Sequence, residues 1–284
     1  MKQLISIILA LLILSCDNTD PDNPFDANFN SRGCLECDNY LIGESFLLDN
    51  VRYVVADKNM IIDALDNNED LSRFCTSRIT DMSELFKDYE TFNQNISVWD
   101  VSNVLNMRQM FDRSTSFNQD IGNWDVSRVT DMKGMFRSAS SFNKDIGDWD
   151  VSNVTDMSEM FYIILNNPSQ FNADITDWDV SQVTDMSYMF CVATEFNCDI
   201  SNWNVSNVTD MSFMFKQAEK FNQDIGDWDV SNVSNMQSMF IFAYSFNQDL
   251  SEWCVTNIPS MLPLNFSSNS GLSGPYHPVW GTCP

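Results

Sequence analysis

The 284-residue sequence predicts an α/β repeat solenoid, with a short strand and a short helix in each 25-residue coil and a cap at either end. Three periodic landmarks carry that prediction. Trp recurs at 99, 124, 149, 178, 203, 228 and 253, with one gap four residues longer than the others. Met-x-x-Met-Phe recurs at 107–111, 132–136, 157–161, 186–190, 211–215 and 236–240, with Met82-Ser83-Glu84-Leu85-Phe86 as a first variant. Phe-Asn recurs with its Phe at 92, 117, 142, 171, 196, 221 and 246. Self-similarity at such a period is the signature of stacked repeats, each too small to bury its apolar side chains alone.

The chain opens with Met1-Lys2-Gln3 and an apolar run from Leu4 to Leu14, which is too short to span a bilayer and suits the hydrophobic part of a signal peptide. Ile13-Leu14-Ser15-Cys16 resembles the bacterial lipoprotein cleavage box, which implies loss of residues 1–15 and lipidation of Cys16 as the sole membrane attachment. Residues 16–33 read as the lipidated Cys and an acidic tether, polar and interrupted by Pro21 and Pro24. Acids directly after a lipidated Cys resemble the signal that sends some Gram-negative lipoproteins to the cell exterior. The expected location is the outer membrane, exposed at the cell surface.

Residues 34–74 form the expected N-terminal cap. Ser45 to Val55 reads as two strands around an Asp49-Asn50 turn, and Asn59 to Leu65 as a short helix.

The repeats cover 75–266, about seven coils. In one unit, Trp124 and Val126 alternate with Asn123, Asp125 and Ser127, the period of a half-buried strand. Met132, Met135, Phe136 and Ala139 then fall at i, i+3, i+4 and i+7, the apolar face of a helix, with Thr130-Asp131 at its start. The four extra residues within Tyr162–Gln170 place a bulge between that helix and the return through Phe171. The Met stripe beside Phe reads as core packing, not as a soft-metal site. The Asn-x-Ser/Thr triplets, such as Asn153-Val-Thr155 and Asn207-Val-Thr209, read as repeated turns, and Phe-Asn as a buried asparagine ladder.

An eighth unit starts in register with Trp253, Val255, Ile258 and Met261, until Pro259 and Pro263 stop it. Residues 267–284, with Trp280, then fold over the open end as the C-terminal cap. An exported chain permits disulfides. Cys254 and Cys283 are placed to staple this cap, Cys75 to join Cys34 or Cys37 at the other, and Cys191 to pair with Cys198 inside one unit. Cys34-Leu-Glu-Cys37 lacks the second pair that a zinc site needs.

Acids outnumber bases 40 to 15, giving a formal charge of −25, which argues against nucleic acid or a bare anionic membrane as partner. A single His, His277, excludes a His-based relay or a His-rich zinc site. Asp120, Asp145, Asp174, Asp199, Asp224 and Asp249 share one repeat position; Asp100, Asp125, Asp150, Asp179 and Asp229 share another. Like charges about 5 Å apart repel by about 0.8 kcal/mol even in water. Such rows need either backbone N–H donors at turns, the favoured reading, or cations between them. Calcium, ligated by the first row, is the only cofactor to which the sequence points.

Phe-Asn-x-Asp-Ile-x-x-Trp-Asp-Val-Ser-x-Val-Thr-Asp-Met-x-x-Met-Phe resembles the repeat of about 26 residues in BspA-like leucine-rich-repeat surface lipoproteins. The resemblance implies a leucine-rich-repeat-like solenoid at the cell surface, with adhesion to a host or matrix protein, and brings no catalytic residues. The expected function is non-enzymatic binding of a protein or glycan by a lipid-anchored monomer. The alternatives are a carbohydrate-active enzyme using paired carboxylates, which would need acids that stand apart from the repeat, and a purely structural envelope protein.

Overall fold

The structure, a computed structural model, describes residues 27–164, 168–259 and 261–284. The signal peptide, Cys16 and the first part of the tether lie outside the described residues. The end of the stretch read as tether is folded: β1 (Asn28–Phe29) pairs antiparallel with β2 (Leu35–Glu36). The Asn30 side chain accepts from the N–H groups of Arg32 and Cys34, both at 3.0 Å, and Gly33 takes φ +81° in the turn between the strands.

β3 (Ser45–Leu48) and β4 (Val51–Val55) form a hairpin through Asp49 and Asn50, whose φ values of 51° and 61° are those of a two-residue type I′ turn. α1 (Lys58–Asp66) follows, capped by the Asp57 carboxylate, which accepts from Met60 N–H at 2.9 Å. It crosses over to β5 (Phe74–Cys75), which lies parallel to β4. The helix buries Ile61 and Ala64 and lies across the first coil, with Lys58 Nζ on Ser83 Oγ at one end and Tyr89 OH on Asp66 at the other. A parallel bridge between Leu35 and Trp99 joins the cap to the repeats.

The repeats stack, but not from strands and helices. A single residue per coil carries the parallel bridging: Asp81 pairs with Asn106, and so on through Asp131, Asp156, Asp185 and Asp210 to Asn235. The strand read at Trp124–Val126 does not form. Trp124 and Val126 are buried by turns, and the Trp124 indole N–H donates back to Ile96 O in the preceding coil at 3.3 Å. The same indole bond recurs in every coil, as in Trp178 to Ile146 O at 3.0 Å.

The helix read over Met132–Ala139 is also absent. Its segment is a run of four-residue turns, in which Met135 N–H donates to Met132 O and Ala139 N–H to Phe136 O, each at 3.0 Å. Gly134 and Ser138, third in those turns, take φ of +58° and +56°, a left-handed conformation no α-helix contains. The intervening donors bond to the next coil: Met132, Gly134, Phe136 and Ser138 N–H reach Asp156, Ser158, Met160 and Tyr162 carbonyls at 2.8–3.0 Å. Turns of this kind place Met, Met, Phe and Ala inward at the spacing a helix would, so periodicity cannot separate the two.

Inside, two columns of Phe run through the stack. Phe111 and Phe136 lie 5.5 Å apart in one, Phe117 and Phe142 5.8 Å apart in the other, and partners within a coil, such as Phe136 and Phe142, stack at 4.0 Å. The step widens to 6.3 Å between Phe142 and Phe171, across the extra residues. Of that bulge, residues 165–167 lie outside the described residues. On either side of it Ile164 N–H is held by Ser138 Oγ and Gln170 N–H by Ser140 O.

At the far end Trp253, Val255 and Ile258 are buried, but Met261 is 78% exposed instead of continuing the register. The break at Pro259 and Pro263 brings Phe266 into the core, edge-on to both Phe240 and Trp280. The tail then closes the stack, with Leu250 N–H on Tyr276 O and Val255 N–H on Thr282 O.

Candidate functional site: the variable face of the stack

Most polar side chains of the repeat are consumed in holding the coils. Each Asp of the first acidic row accepts from the N–H two residues on, from Asp249 with Ser251 at 2.9 Å to Asp120 with Gly122 at 3.3 Å. The second row does the same, as in Asp179 with Ser181 at 3.0 Å, and so do the bridging residues, as in Asp210 with Ser212 at 2.7 Å. Each coil therefore carries three Asx turns. These bonds hold the carboxyls of Asp174, Asp179, Asp199, Asp229 and Asp249 below the usual carboxylate range, because they favour the ionised form.

The calcium candidates Asp120, Asp145, Asp174, Asp199, Asp224 and Asp249 thus each serve as a turn cap. Among the described residues no group of three or more His, Cys, Asp or Glu converges to hold a metal.

Two further rows are occupied in the same way. Phe-Asn forms an asparagine ladder, Asn118 Oδ1 accepting from Asn143 N–H at 3.1 Å and Asn143 Oδ1 from Asn172 N–H at 2.9 Å, and it is exposed or half-buried, not buried as expected. The Asn of Asn153-Val-Thr155 donates to Ser127 O at 2.8 Å, and Thr155 Oγ1 to Thr130 O at 3.2 Å.

The cysteines divide unevenly. Cys37–Cys75 and Cys254–Cys283 are disulfides, one in each cap. Cys191 and Cys198 are not paired, contrary to expectation. Cys191 is buried in the turn after Met189-Phe190, whereas Cys198 follows Phe196-Asn197, where its sulfur accepts from Ile175 N–H. The two stand on different sides of the coil. Burial pushes the Cys34 thiol up to about 11 and the Cys191 thiol up to about 12.

One face is different in kind. At the third residue of the Met-x-x-Met turn the copies carry Glu84, Gln109, Gly134, Glu159, Tyr188, Phe213 and Ser238, all at φ between 53° and 60°. Directly after the Phe they carry Lys87, Asp112, Arg137, Tyr162, Cys191, Lys216 and Ile241. These two positions share a surface, because side chains of one meet those of the other. Lys87 Nζ reaches Gln109 at 3.1 Å, and Arg137 reaches Glu159 at 2.7 Å.

In the earlier coils this surface is charged. Arg137 grips Asp112 with two hydrogen bonds of 2.9 and 2.6 Å, and the Asp112 side chain is 0% exposed. Lys133 adds a 3.6 Å contact to Glu159. The pairing with Asp112 raises the pKa of Arg137 further above its ordinary value. In the later coils the surface is aromatic. Tyr162 and Tyr188 have centroids 5.7 Å apart, Tyr188 and Phe213 stack at 4.5 Å and 12°, and Lys216 Nζ stands 5.6 Å over Phe213. None of Arg137, Asp112, Tyr188 or Phe213 stands out as a motif, because each departs from the motif; superposing the copies is the signal that finds them.

Stacked coils with one variable face define a tandem-repeat protein. The family described as "Mycoplasma protein of unknown function, DUF285" matches residues 56–167 and again 162–273, and the chain belongs to it. No curated protein and no solved structure matches the chain.

Proposed function

We propose that the protein is an exported lipoprotein, anchored through Cys16 and displayed at the cell surface, that binds a macromolecular partner and catalyses no reaction. In this reading its architecture is the BspA-like, leucine-rich-repeat-like solenoid that the repeat resembles. The observation that supports binding is the distribution of sequence change among the copies. Positions that cap turns or fill the core repeat almost unaltered, while Glu, Gln, Gly, Tyr, Phe and Ser alternate at one turn position, which is exposed at Glu84, half-buried at Glu159, Tyr188 and Phe213, and buried at Gln109 and Ser238. The four-residue insertion follows the same turn. In stacked repeats, one-sided variation and insertion mark a recognition face.

The test is made on intact cells. Protease shaving should remove the protein, Cys16→Ala should abolish incorporation of labelled fatty acid, and cells producing it should adhere to host or matrix protein. A chain protected from protease outside the cell, or cells whose adhesion is unchanged by deleting the gene, would overturn the reading.

A further inference from the structure

The two ends of the stack are closed differently. In every coil three backbone N–H groups at alternate residues donate to carbonyls of the next coil, as Phe213, Phe215 and Gln217 do to Gln237, Met239 and Ile241, each at 2.9 Å. Ser238, Phe240 and Phe242 repeat this toward Leu264, Phe266 and Ser268 of the eighth coil at 2.7–3.0 Å. The eighth coil then folds the same pair of turns, Phe266 N–H donating to Pro263 O and Ser270 N–H to Ser267 O, with Asn265 and Asn269 at φ 54° and 58°. Asn265, Ser267 and Asn269 N–H therefore hold the places of the donor row, directed away from the seventh coil, and among the described residues they meet no acceptor. The tail pairs with Leu250 and Val255 N–H on other sides of this end, and it reaches the row at the Ser267 hydroxyl, 2.7 Å from His277 Nε2.

The side chains beside the row are apolar and uncovered. Met261, Leu262 and Leu264 are 78%, 55% and 66% exposed. From Trp253 to Pro284 the chain carries no Asp, Glu, Lys or Arg, although its formal charge is −25. Free backbone donors beside exposed apolar side chains are a template for another polypeptide. No charged side chain at this end opposes its approach.

Every earlier step of the stack shows what fits such a row: a polypeptide segment with carbonyls at alternate residues. A lipid surface matches the apolar side chains but not the row. A second copy of the chain carries matching carbonyls in its first coil, at Ser83, Leu85 and Lys87, yet α1 lies over that edge, with Lys58 Nζ on Ser83 Oγ at 3.0 Å and Tyr89 OH on Asp66 at 2.7 Å. The front of one molecule is thus closed to the end of another.

We propose that the edge from Leu264 to Asn269, with Met261 and Leu262, docks an uncharged, apolar polypeptide segment of another protein, which accepts from Asn265, Ser267 and Asn269 N–H as a further coil would. This surface lies apart from the variable face and goes beyond the binding role proposed above.

The probe is a displayed library of random dodecapeptides selected on the purified protein, with phosphatidylcholine vesicles and sedimentation velocity in parallel. Leu264→Glu places a charge on an exposed position. Ser267→Pro deletes the middle donor, which makes no bond to the described residues, and puts Pro where Pro263 stands in the preceding turn. Thr209→Ser, which copies Ser234, is the control on another face. Selected peptides should be apolar and uncharged, should slow amide exchange within residues 262–270, and should bind each edge variant about tenfold more weakly. The control should bind as wild type, and Leu264→Glu should melt as wild type; if Ser267→Pro unfolds the cap, Leu264→Glu decides. No enrichment, protection confined to other segments, or binding that Leu264→Glu leaves unchanged would overturn the proposal. So would vesicle binding without peptide binding, or self-association that Leu264→Glu abolishes.

Discussion

Arg137→Met is the sharpest test of how the stack handles its buried charge. Asp112 is fully covered, and Arg137 supplies the two hydrogen bonds to its carboxylate, at 2.9 and 2.6 Å. Met keeps most of the packing of the arginine stem but none of its donors. Removing one partner of a buried ion pair leaves the other charge desolvated and unpaired, at a cost of about 3–5 kcal/mol. Arg137 is itself 17% exposed and water can approach from its side, so the lower end, about 3 kcal/mol, is expected here. For a chain of this length that lowers Tm by roughly 6–12 °C. The assay is equilibrium urea denaturation of wild type, Arg137→Met, Asp112→Asn and the double variant. Asp112→Asn in the Arg137→Met background should recover about 1–2 kcal/mol, because it removes the stranded charge. A loss below about 1 kcal/mol for Arg137→Met, the value of an exposed pair, would refute the claim that Asp112 depends on this arginine.

Gly134→Ala should destabilise by about 1 kcal/mol through its left-handed φ, and its new Cβ would meet Gln109 Cγ at 3.3 Å; a thermal melt that does not move would count against the turn geometry. Trp178→Phe should cost about 1 kcal/mol in urea by removing the indole donor from the Ile146 carbonyl, which keeps only Trp149 N–H at 3.2 Å, and an unchanged midpoint would deny the indole bond a role. Among the cysteines of the described residues, thiol labelling of the native protein near neutral pH should modify Cys198 first, since burial raises Cys34 and Cys191 far above that pH; rapid labelling of Cys191 would contradict the packing. The Asp caps with lowered pKa bind protons less readily folded than unfolded, so their contribution is present above about pH 4, the unfolded value, and is lost as pH falls through the folded values. Stability that stays flat from pH 5 to pH 3, or rises, would refute the capping.

The repeat, its period, its copy number and the residues of its core could all be read from the chain, because Trp, Met and Phe recur at fixed spacing and apolar periodicity reports which side chains point inward. So could the hairpin at Asp49-Asn50 and the helix after Asp57, where turn and cap chemistry are local. What each coil is made of could not. Met132, Met135, Phe136 and Ala139 point inward in a helix and in successive turns alike, and the choice rests on where the Gly134, Phe136 and Ser138 N–H groups find acceptors. Those acceptors belong to the next coil, about 25 residues on, and no local pattern reports them. The same holds for Cys191 and Cys198, close in sequence yet unpaired, and for Tyr188 and Phe213, which stack only when the two copies are brought together. Sequence alone determined that a unit is copied and which face of it is apolar; tertiary structure decided its backbone and which variable side chains share a surface, because both depend on bonds and contacts between coils.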